Sequence, residues 1–166
     1  LIELRKDLTF DQWFDWGAVW DYFTLSANIS FIDSEVILFG PGETASSVPL
    51  TGGRNIARLF QNERVLTGQS DVLGNLILSY SNYELGIEAS IAYNYTSERV
   101  ILVGAENAPD LVEDSRGKLD LLFKYNFPLW DTDFELEFKA QNVLDETVDW
   151  TQGGVMYERS WPGVCY

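Results

Sequence analysis

The sequence predicts an all-β fold of antiparallel up-and-down strands, of the kind that forms a transmembrane β-barrel, and three observations lead to this fold class. Apolar and polar residues alternate with a period of two in several segments. The connections between these segments alternate between long and short. Aromatic residues make up 14% of the chain, include six tryptophans, and gather where the segments end.

The alternating segments are predicted as strands that each have one apolar face. In residues 85–98, for example, Ile87 and Ile91 fall on one face, while Glu88 and Ser90 fall on the other. The predicted strands cover residues 23–31, 72–80, 85–98, 119–127 and 134–141.

The remaining segments are two weaker strands and the connections. Residues 2–8 and 155–166 are predicted as strands, although Pro162 and Gly163 interrupt the second. Residues 7–22 form a connection long enough to hold a helical turn. The other connections are long over residues 39–70, 104–117 and 145–154, and short over residues 81–84 and 128–133. Long loops at one end of the strands and short turns at the other are typical of outer-membrane barrels.

The aromatic residues are predicted to form the two girdles that edge the apolar band of such a barrel. One group lies near the short turns, and the other lies further along the strands. The step from Leu85 to Tyr95 is ten residues. At about 3.3 Å per residue and a strand tilt of about 45°, it rises about 25 Å across the membrane, which matches the height of the apolar band of such a barrel. The candidate girdle residues are Trp13, Trp16, Trp20, Tyr80, Tyr83, Tyr93, Tyr95 and Trp130.

The polar faces of the predicted strands carry charged and amide side chains that would line a hydrated lumen. For any single one of these residues, the plainer interpretation is a solvated, paired charge, which contributes little to stability. The candidate lumen-facing residues are Glu88, Asn94, Lys124, Glu135, Glu137 and Lys139.

Composition excludes several classes of function. The chain has 26 acidic and 11 basic residues, giving a net charge of −15, whereas a nucleic-acid partner requires a basic face. There is no histidine and no nucleophile–base pair, so we predict neither an enzyme nor a metal or cofactor site.

The single cysteine, Cys165, cannot form an internal disulfide and is interpreted as a small apolar residue. Asp110, Glu113 and Asp114 lack the EF-hand spacing and are interpreted as a plain acidic loop.

The alternative fold is a soluble antiparallel sandwich, in which the apolar faces would meet in a core. Three features favour the membrane barrel over the soluble sandwich. The strand that begins near Leu85 extends as far as Val103, which is long against a usual five or six residues. Aromatic residues gather at strand ends rather than in the middle of strands, and the loop lengths alternate strictly.

Several segments resemble the C-terminal part of TonB-dependent outer-membrane receptors. Residues 27–35 (ANISFIDSE) follow the strand and turn of residues 2–8, as in that family. Residues 63–70 (ERVLTGQS), followed by Asn75 and Tyr80, resemble the family's "R-x-L-x-G-Q-S … N … Y" segment. Residues 139–146 (KAQNVLDE) resemble its "k-x-x-N-L-L-D" segment. The last nine residues depart from the family's usual aromatic-ended final strand because they are short and contain proline.

The resemblance implies that residues 1–166 are the C-terminal fragment of a 22-stranded barrel in the outer membrane. The signal peptide, the plug domain, the TonB box and the remaining strands are expected upstream of Leu1. Such receptors take up scarce nutrients such as ferric siderophores, cobalamin or glycans, with energy delivered through TonB. The expected partners are therefore outer-membrane lipid, TonB and a small nutrient such as a metal chelate. The long loops, above all residues 39–70, are the expected ligand contacts. A passive porin or adhesion barrel, and a soluble β-sandwich binding module, are the alternative functions.

Overall fold

The computed structural model describes residues 2–9, 20–37, 63–104 and 108–166, and in these residues the chain is antiparallel β-structure. A single 3-10 turn lies at Trp20–Tyr22 in the described part. The described strands are β1 (Ile2–Thr9), β2 (Phe23–Phe31), β3 (Glu35–Ile37), β4 (Glu63–Val65), β5 (Val72–Asn82), β6 (Ile87–Thr96), β7 (Arg99–Leu102), β8 (Leu111–Glu113), β9 (Arg116–Leu129), β10 (Thr132–Ala140), β11 (Val148–Gln152) and β12 (Val155–Ser160). The predicted all-β antiparallel fold is confirmed.

Six long strands form one sheet in the order β1-β2-β5-β6-β9-β10. Each strand pairs with the long strand that precedes it in the chain, so the sheet is an up-and-down meander. Among the described strands, β1 and β10 are its two edges, and they do not pair with each other. The shorter strands lie beyond the same end of this sheet, as a β3-β4 pair and as a four-stranded sheet in the order β12-β11-β8-β7.

The register of the six-stranded sheet gathers the apolar residues on one face. Ile91 in the middle of β6 lies opposite Leu78 of β5 and Leu121 of β9. Three residues further along β6, Asn94 lies opposite Asn75 and Lys118. Because side chains alternate along a strand, the predicted faces of these strands are confirmed. The polar face also carries a few apolar residues, namely Leu73, Ile77 and Leu122.

No second layer covers the apolar face in the described part of the chain. Leu111 and Ala140 are the only buried hydrophobic residues there. On the apolar face, by contrast, Leu136 is 57% exposed and Phe138 is 51% exposed. A soluble sandwich would bury such residues against a facing sheet, and the described residues contain no such sheet.

Several of the sequence boundaries are corrected by the structure. The strand expected to run from residue 85 to Val103 ends at Thr96, because Ser97 exchanges hydrogen bonds with Val72. Its N–H donates to the Val72 carbonyl (2.9 Å), and its hydroxyl accepts from the Val72 N–H (3.0 Å). These bonds close the β5-β6 ladder, and the chain re-enters strand structure as β7. The expected long connections 39–70, 104–117 and 145–154 contain β4, β8 and β11, which are three, three and five residues long. The strand expected over residues 155–166 ends at Ser160.

The short turns have the backbone geometry that hairpins require. The β5-β6 turn, expected over residues 81–84, spans Tyr83 to Gly86. Gly86 has a φ of +67°, and a Cβ there would lie 2.1 Å from the Asn126 carbonyl oxygen. The β9-β10 turn consists of Trp130 and Asp131, with φ values of +50° and +59°. Positive φ at both central residues matches the right-handed twist of the strands that they connect.

Candidate functional site

One aromatic group lies at the short-turn end of the apolar face. The Tyr80 ring lies 5.0 Å from Phe23 and 5.9 Å from Tyr22, measured between ring centroids. On the neighbouring strands, Phe127 stacks between Tyr125 (5.1 Å) and Phe134 (5.9 Å). The side chains of Tyr83 and Trp130 project from the turns and are 83% and 89% exposed. The backbone of Trp20 lies in the 3-10 turn beside this group, whereas Trp13 and Trp16 lie outside the described residues.

A second aromatic group lies towards the other end of the same face. Tyr93 and Tyr95 alternate with Asn94 on β6, and Tyr95 lies about 20 Å along the strand from the level of Tyr80. The Tyr93 ring lies over Gly117 on β9, where a Cβ would come 2.1 Å from the Tyr93 hydroxyl. A ring that covers a glycine on the neighbouring strand fixes the pairing of the two strands.

The charged residues of the polar face meet across β6, β9 and β10. Lys124 lies opposite Glu88 on one side and Glu137 on the other, and its Nζ is 3.1 Å from Glu137 Oε2. Glu135 and Lys139 lie two residues before and two residues after Glu137, on the same face of β10. All six candidate lumen-facing residues therefore lie on the polar face. Lys124, Glu137 and Lys139, with Asp120 of β9, border one open depression. This arrangement places a strip of acidic and basic side chains along the polar face.

A buried carboxylate lies at the junction of the six-stranded and four-stranded sheets. Glu113 is 4% exposed. Its two oxygens accept hydrogen bonds from Arg99 Nη2 at 3.1 and 3.0 Å, and one also accepts from Trp150 Nε1 at 3.3 Å. Arg116 Nη2 lies 3.6 Å from Glu113 Oε1. The cluster joins β7, β8, β9 and β11, and sequence reasoning did not identify it.

The interpretation of Asp110, Glu113 and Asp114 as a plain acidic loop is wrong for Glu113, which lies in β8, whereas Asp110 and Asp114 lie in the connections on either side of that strand. Glu113 is buried among its cationic partners. Asp110 Oδ1 accepts a hydrogen bond from the Gly104 N–H (2.8 Å), and Asp114 Oδ1 accepts one from the Thr151 hydroxyl (3.0 Å). Each carboxylate has its own structural partner.

A second buried polar residue, Asn142, joins the end of β10 to the C-terminal segment. It is 5% exposed and has a φ of +55°. Its Nδ2 donates to the carbonyls of Glu146 (3.2 Å) and Gly163 (3.1 Å), and its Oδ1 accepts from the Glu146 N–H (3.1 Å). Its own N–H donates to Asp120 Oδ1 on β9 (2.9 Å). Asparagine tolerates this left-handed backbone conformation better than most residues do.

The β11-β12 hairpin carries an exposed ion pair at the long-loop end. Arg159 Nε donates to Asp149 Oδ1 at 2.8 Å, and Arg159 Nη2 donates to the other carboxylate oxygen. Chiefly because of these hydrogen bonds, and also because of one from Thr147, the pKa of Asp149 lies below its ordinary value of 3.8. The same bonds raise the pKa of Arg159.

This pKa shift predicts how the hairpin responds to acid. A carboxylate whose pKa is lowered by folding stabilises the folded state fully above its ordinary value, and that contribution is lost as pH falls through the lowered value. NMR titration of the Asp149 carboxyl carbon is expected to give a midpoint below 3.8. Arg159→Gln is expected to move the midpoint back towards that value, and an unchanged midpoint would contradict the assignment. The effect on stability is expected to be small because the pair is exposed.

Comparisons with known proteins add no family to these observations. No family model matches the chain, and neither a curated protein nor a solved structure matches it. In the part of the chain that the structure describes, no helix is long and apolar enough to cross a membrane. The same residues contain no group of three or more His, Cys, Asp or Glu side chains that could hold a metal ion.

Proposed function

We propose that this chain forms part of an outer-membrane β-barrel that takes up scarce nutrients in the manner of the TonB-dependent receptors that its motifs resemble. In this proposal the apolar face of the six-stranded sheet contacts lipid, and the polar face lines a hydrated interior. The four-stranded sheet and the β3-β4 pair lie at the long-loop end, which faces the cell exterior. TonB and the nutrient bind through other parts of the receptor and through the long loops.

The observation that supports this proposal best is the apolar face between two groups of aromatic residues, which none of the described segments covers. Soluble proteins rarely expose a contiguous apolar surface of this extent, and lipid is one of the few environments that stabilises it. Aromatic residues at both edges of an apolar band are typical of barrels in the outer membrane. The polar face supports the same proposal because Glu88, Lys124 and Glu137 would be costly in hydrocarbon.

Lipid contact can be tested with two adjacent residues on opposite faces of β6. With Cys165 and any other native cysteine replaced by serine, the full-length protein receives a single cysteine at Ile91 or at Ser90, each carrying the same small fluorophore. In vesicles made with brominated acyl chains, the label at Ile91 is expected to be strongly quenched, whereas the label at Ser90 is expected to keep most of its emission. A protein that remains in solution, or equal quenching at both positions, would overturn the lipid-facing assignment.

Arginine at the same two positions provides an energetic test. Ile91→Arg is expected to cost about 2–4 kcal/mol, as for a charge on the lipid face near the bilayer centre. Ser90→Arg is expected to cost less than about 1 kcal/mol because its side chain would reach the strip of charged side chains on the polar face. The amount of assembled protein and its unfolding in urea measure both effects, and similar losses for the two variants would contradict the proposal.

Energised uptake can be separated from passive diffusion in cells. Deleting the gene should abolish growth on the nutrient at limiting concentration, and collapsing the inner-membrane proton gradient should abolish its accumulation. Accumulation that continues without the gradient would instead indicate a passive porin, even if the lipid-facing assignment holds.

A further inference from the structure

A row of aromatic residues crosses the apolar face near the short turns and is interrupted at one position. Phe23, Tyr80, Phe123 and Phe138 lie in this row on β2, β5, β9 and β10. On β6, between Tyr80 and Phe123, the row contains Ala89, whose side chain is a single methyl group. The small side chain leaves a depression between the two flanking rings, which we call the Ala89 depression.

The Ala89 depression is lined by apolar side chains and has room for part of a hydrocarbon chain. Its volume is about 320 Å³, whereas one water molecule needs about 10–15 Å³. From the aromatic row it extends towards the middle of the face, where Leu78, Ile91 and Leu121 border it. It therefore follows the strands from the level of the aromatic group into the apolar band.

The Tyr80 hydroxyl lies on the side of the depression that is nearer the short turns. It accepts a hydrogen bond from Nδ2 of Asn82, the last residue of β5 (3.3 Å). A phenol also has one O–H to donate, and no acceptor for it lies among the described residues. An ester carbonyl oxygen at this level can accept that hydrogen bond.

The short turns beside the depression are acidic. The described residues 20–23, 82–87 and 125–134 contain no lysine or arginine, and they contain four acidic residues, namely Asp21, Glu84, Asp131 and Asp133. Because opposite charges attract and like charges repel, this end of the sheet favours a headgroup with an ammonium group over a headgroup that is only anionic.

We propose that the Ala89 depression binds one acyl chain of a phospholipid with an ethanolamine headgroup. The chain lies between Tyr80 and Phe123, an ester carbonyl oxygen accepts the hydrogen bond from Tyr80, and the ammonium group faces the acidic turns. This inference rests on the proposed function, because it requires that the apolar face meets lipid. It adds a defined position and a headgroup preference for one lipid.

Binding of defined lipids to the delipidated full-length protein in detergent tests the proposal. Native mass spectrometry counts the lipids that are retained when dioleoyl phosphatidylethanolamine or dioleoyl phosphatidylglycerol is added. Ala89→Leu fills the depression and is expected to weaken binding of the ethanolamine lipid on the order of tenfold, because the chain loses its contacts with the two rings. The matched control, Ala27→Leu, adds the same side chain to the apolar face of β2 outside the depression and is expected to leave binding unchanged.

Tyr80→Phe tests the hydrogen bond separately from the packing. The variant keeps the ring, and loss of one hydrogen bond is expected to weaken binding of the ethanolamine lipid about fivefold. Because the substitution removes only a hydroxyl, it also tests the proposal if Ala89→Leu fails to assemble. The unmodified protein is expected to bind phosphatidylglycerol more weakly than phosphatidylethanolamine.

Two results would overturn this proposal and leave the proposed function standing, provided that brominated acyl chains quench the label at Ile91. One is equal binding of the ethanolamine lipid by the unmodified protein and by the variants at Ala89 and Tyr80. The other is equal binding of the two lipids by the unmodified protein. A label at Ile91 that is not quenched would overturn both proposals together.

Discussion

Replacing Glu113 with glutamine is expected to destabilise the four-stranded sheet by about 3 kcal/mol. The change keeps the size of the side chain and removes its charge. Arg99 and Arg116 would then face each other without the carboxylate that lies 3.0 and 3.6 Å from them. Removing one partner of a buried ion pair is costly because the remaining charge loses its compensation.

The matched control is Glu137→Gln on the polar face. It makes the same chemical change in a pair of similar distance, 3.1 Å to Lys124, but the Glu137 side chain is 43% exposed whereas that of Glu113 is 5% exposed. The expected loss is at most about 1 kcal/mol. Hydrogen exchange at the amides of β8 and β11, with denaturant unfolding of the whole protein, measures both variants. Equal losses would show that burial does not set the strength of the Glu113 cluster.

A double variant separates loss of charge from loss of packing. Arg99→Met combined with Glu113→Leu removes the closest charged pair and fills the space with apolar side chains. Replacing a buried ion pair as a unit is often neutral, so this variant is expected to recover most of the stability that Glu113→Gln loses. Failure to recover would show that the loss of the carboxylate as a partner of Arg116 and Trp150 outweighs the gain from replacing Arg99 and Glu113 together.

Asn142→Ala is expected to cost about 3–4 kcal/mol and to release the C-terminal segment from β10. The substitution removes three side-chain hydrogen bonds, each worth about 1 kcal/mol. It also places alanine at a φ of +55°, which costs about 1 kcal/mol. Hydrogen exchange at the amides of Gln141 and Cys165 reports the release directly, because these amides form the bridge between the two segments.

Two further substitutions of Asn142 separate the contributions of its hydrogen bonds and of its backbone conformation to the loss of stability. Asn142→Gly loses the same hydrogen bonds but tolerates the backbone conformation, so it is expected to be about 1 kcal/mol more stable than Asn142→Ala. Asn142→Asp keeps the acceptor for the Glu146 N–H and loses the donor to the carbonyls of Glu146 and Gly163. It should therefore release the C-terminal segment while leaving the turn to Glu146 formed. Slow hydrogen exchange at the Cys165 amide in Asn142→Asp would contradict the assignment of the Gly163 hydrogen bond as the one that holds the C-terminal segment.

The long strands could be predicted from sequence because their alternation reflects the two environments of a single sheet. The range 23–31 agrees with β2 at both ends, and all candidate lumen-facing residues lie on the polar face. β8 and β11 were missed because three and five residues are too short to show a period. The end of β6 was missed because it depends on bonds between Ser97 and Val72, which are 25 residues apart.

The two buried polar residues show why contacts between distant segments limit prediction of the site. Glu113 binds Arg99 and Trp150, which are 14 and 37 residues away in the chain. Asn142 lies in a segment that the family resemblance singled out, but its partner Gly163 is 21 residues away. A local pattern shows that these residues are polar and close to strand ends. It does not show that they are buried, which is what makes their hydrogen bonds strong.

The register of the sheet also constrains how a gene that encodes it can change in length. Loss of one codon within β9 would turn Leu121, Phe123 and Tyr125 of that strand towards the charged side, and would bring Lys124 to the apolar side. Loss of two codons restores the faces and only shortens the strand. No such rule applies to connections between strands, which tolerate insertions and deletions of any length. Inherited insertions and deletions should therefore come in even numbers within the strands and in any number between them.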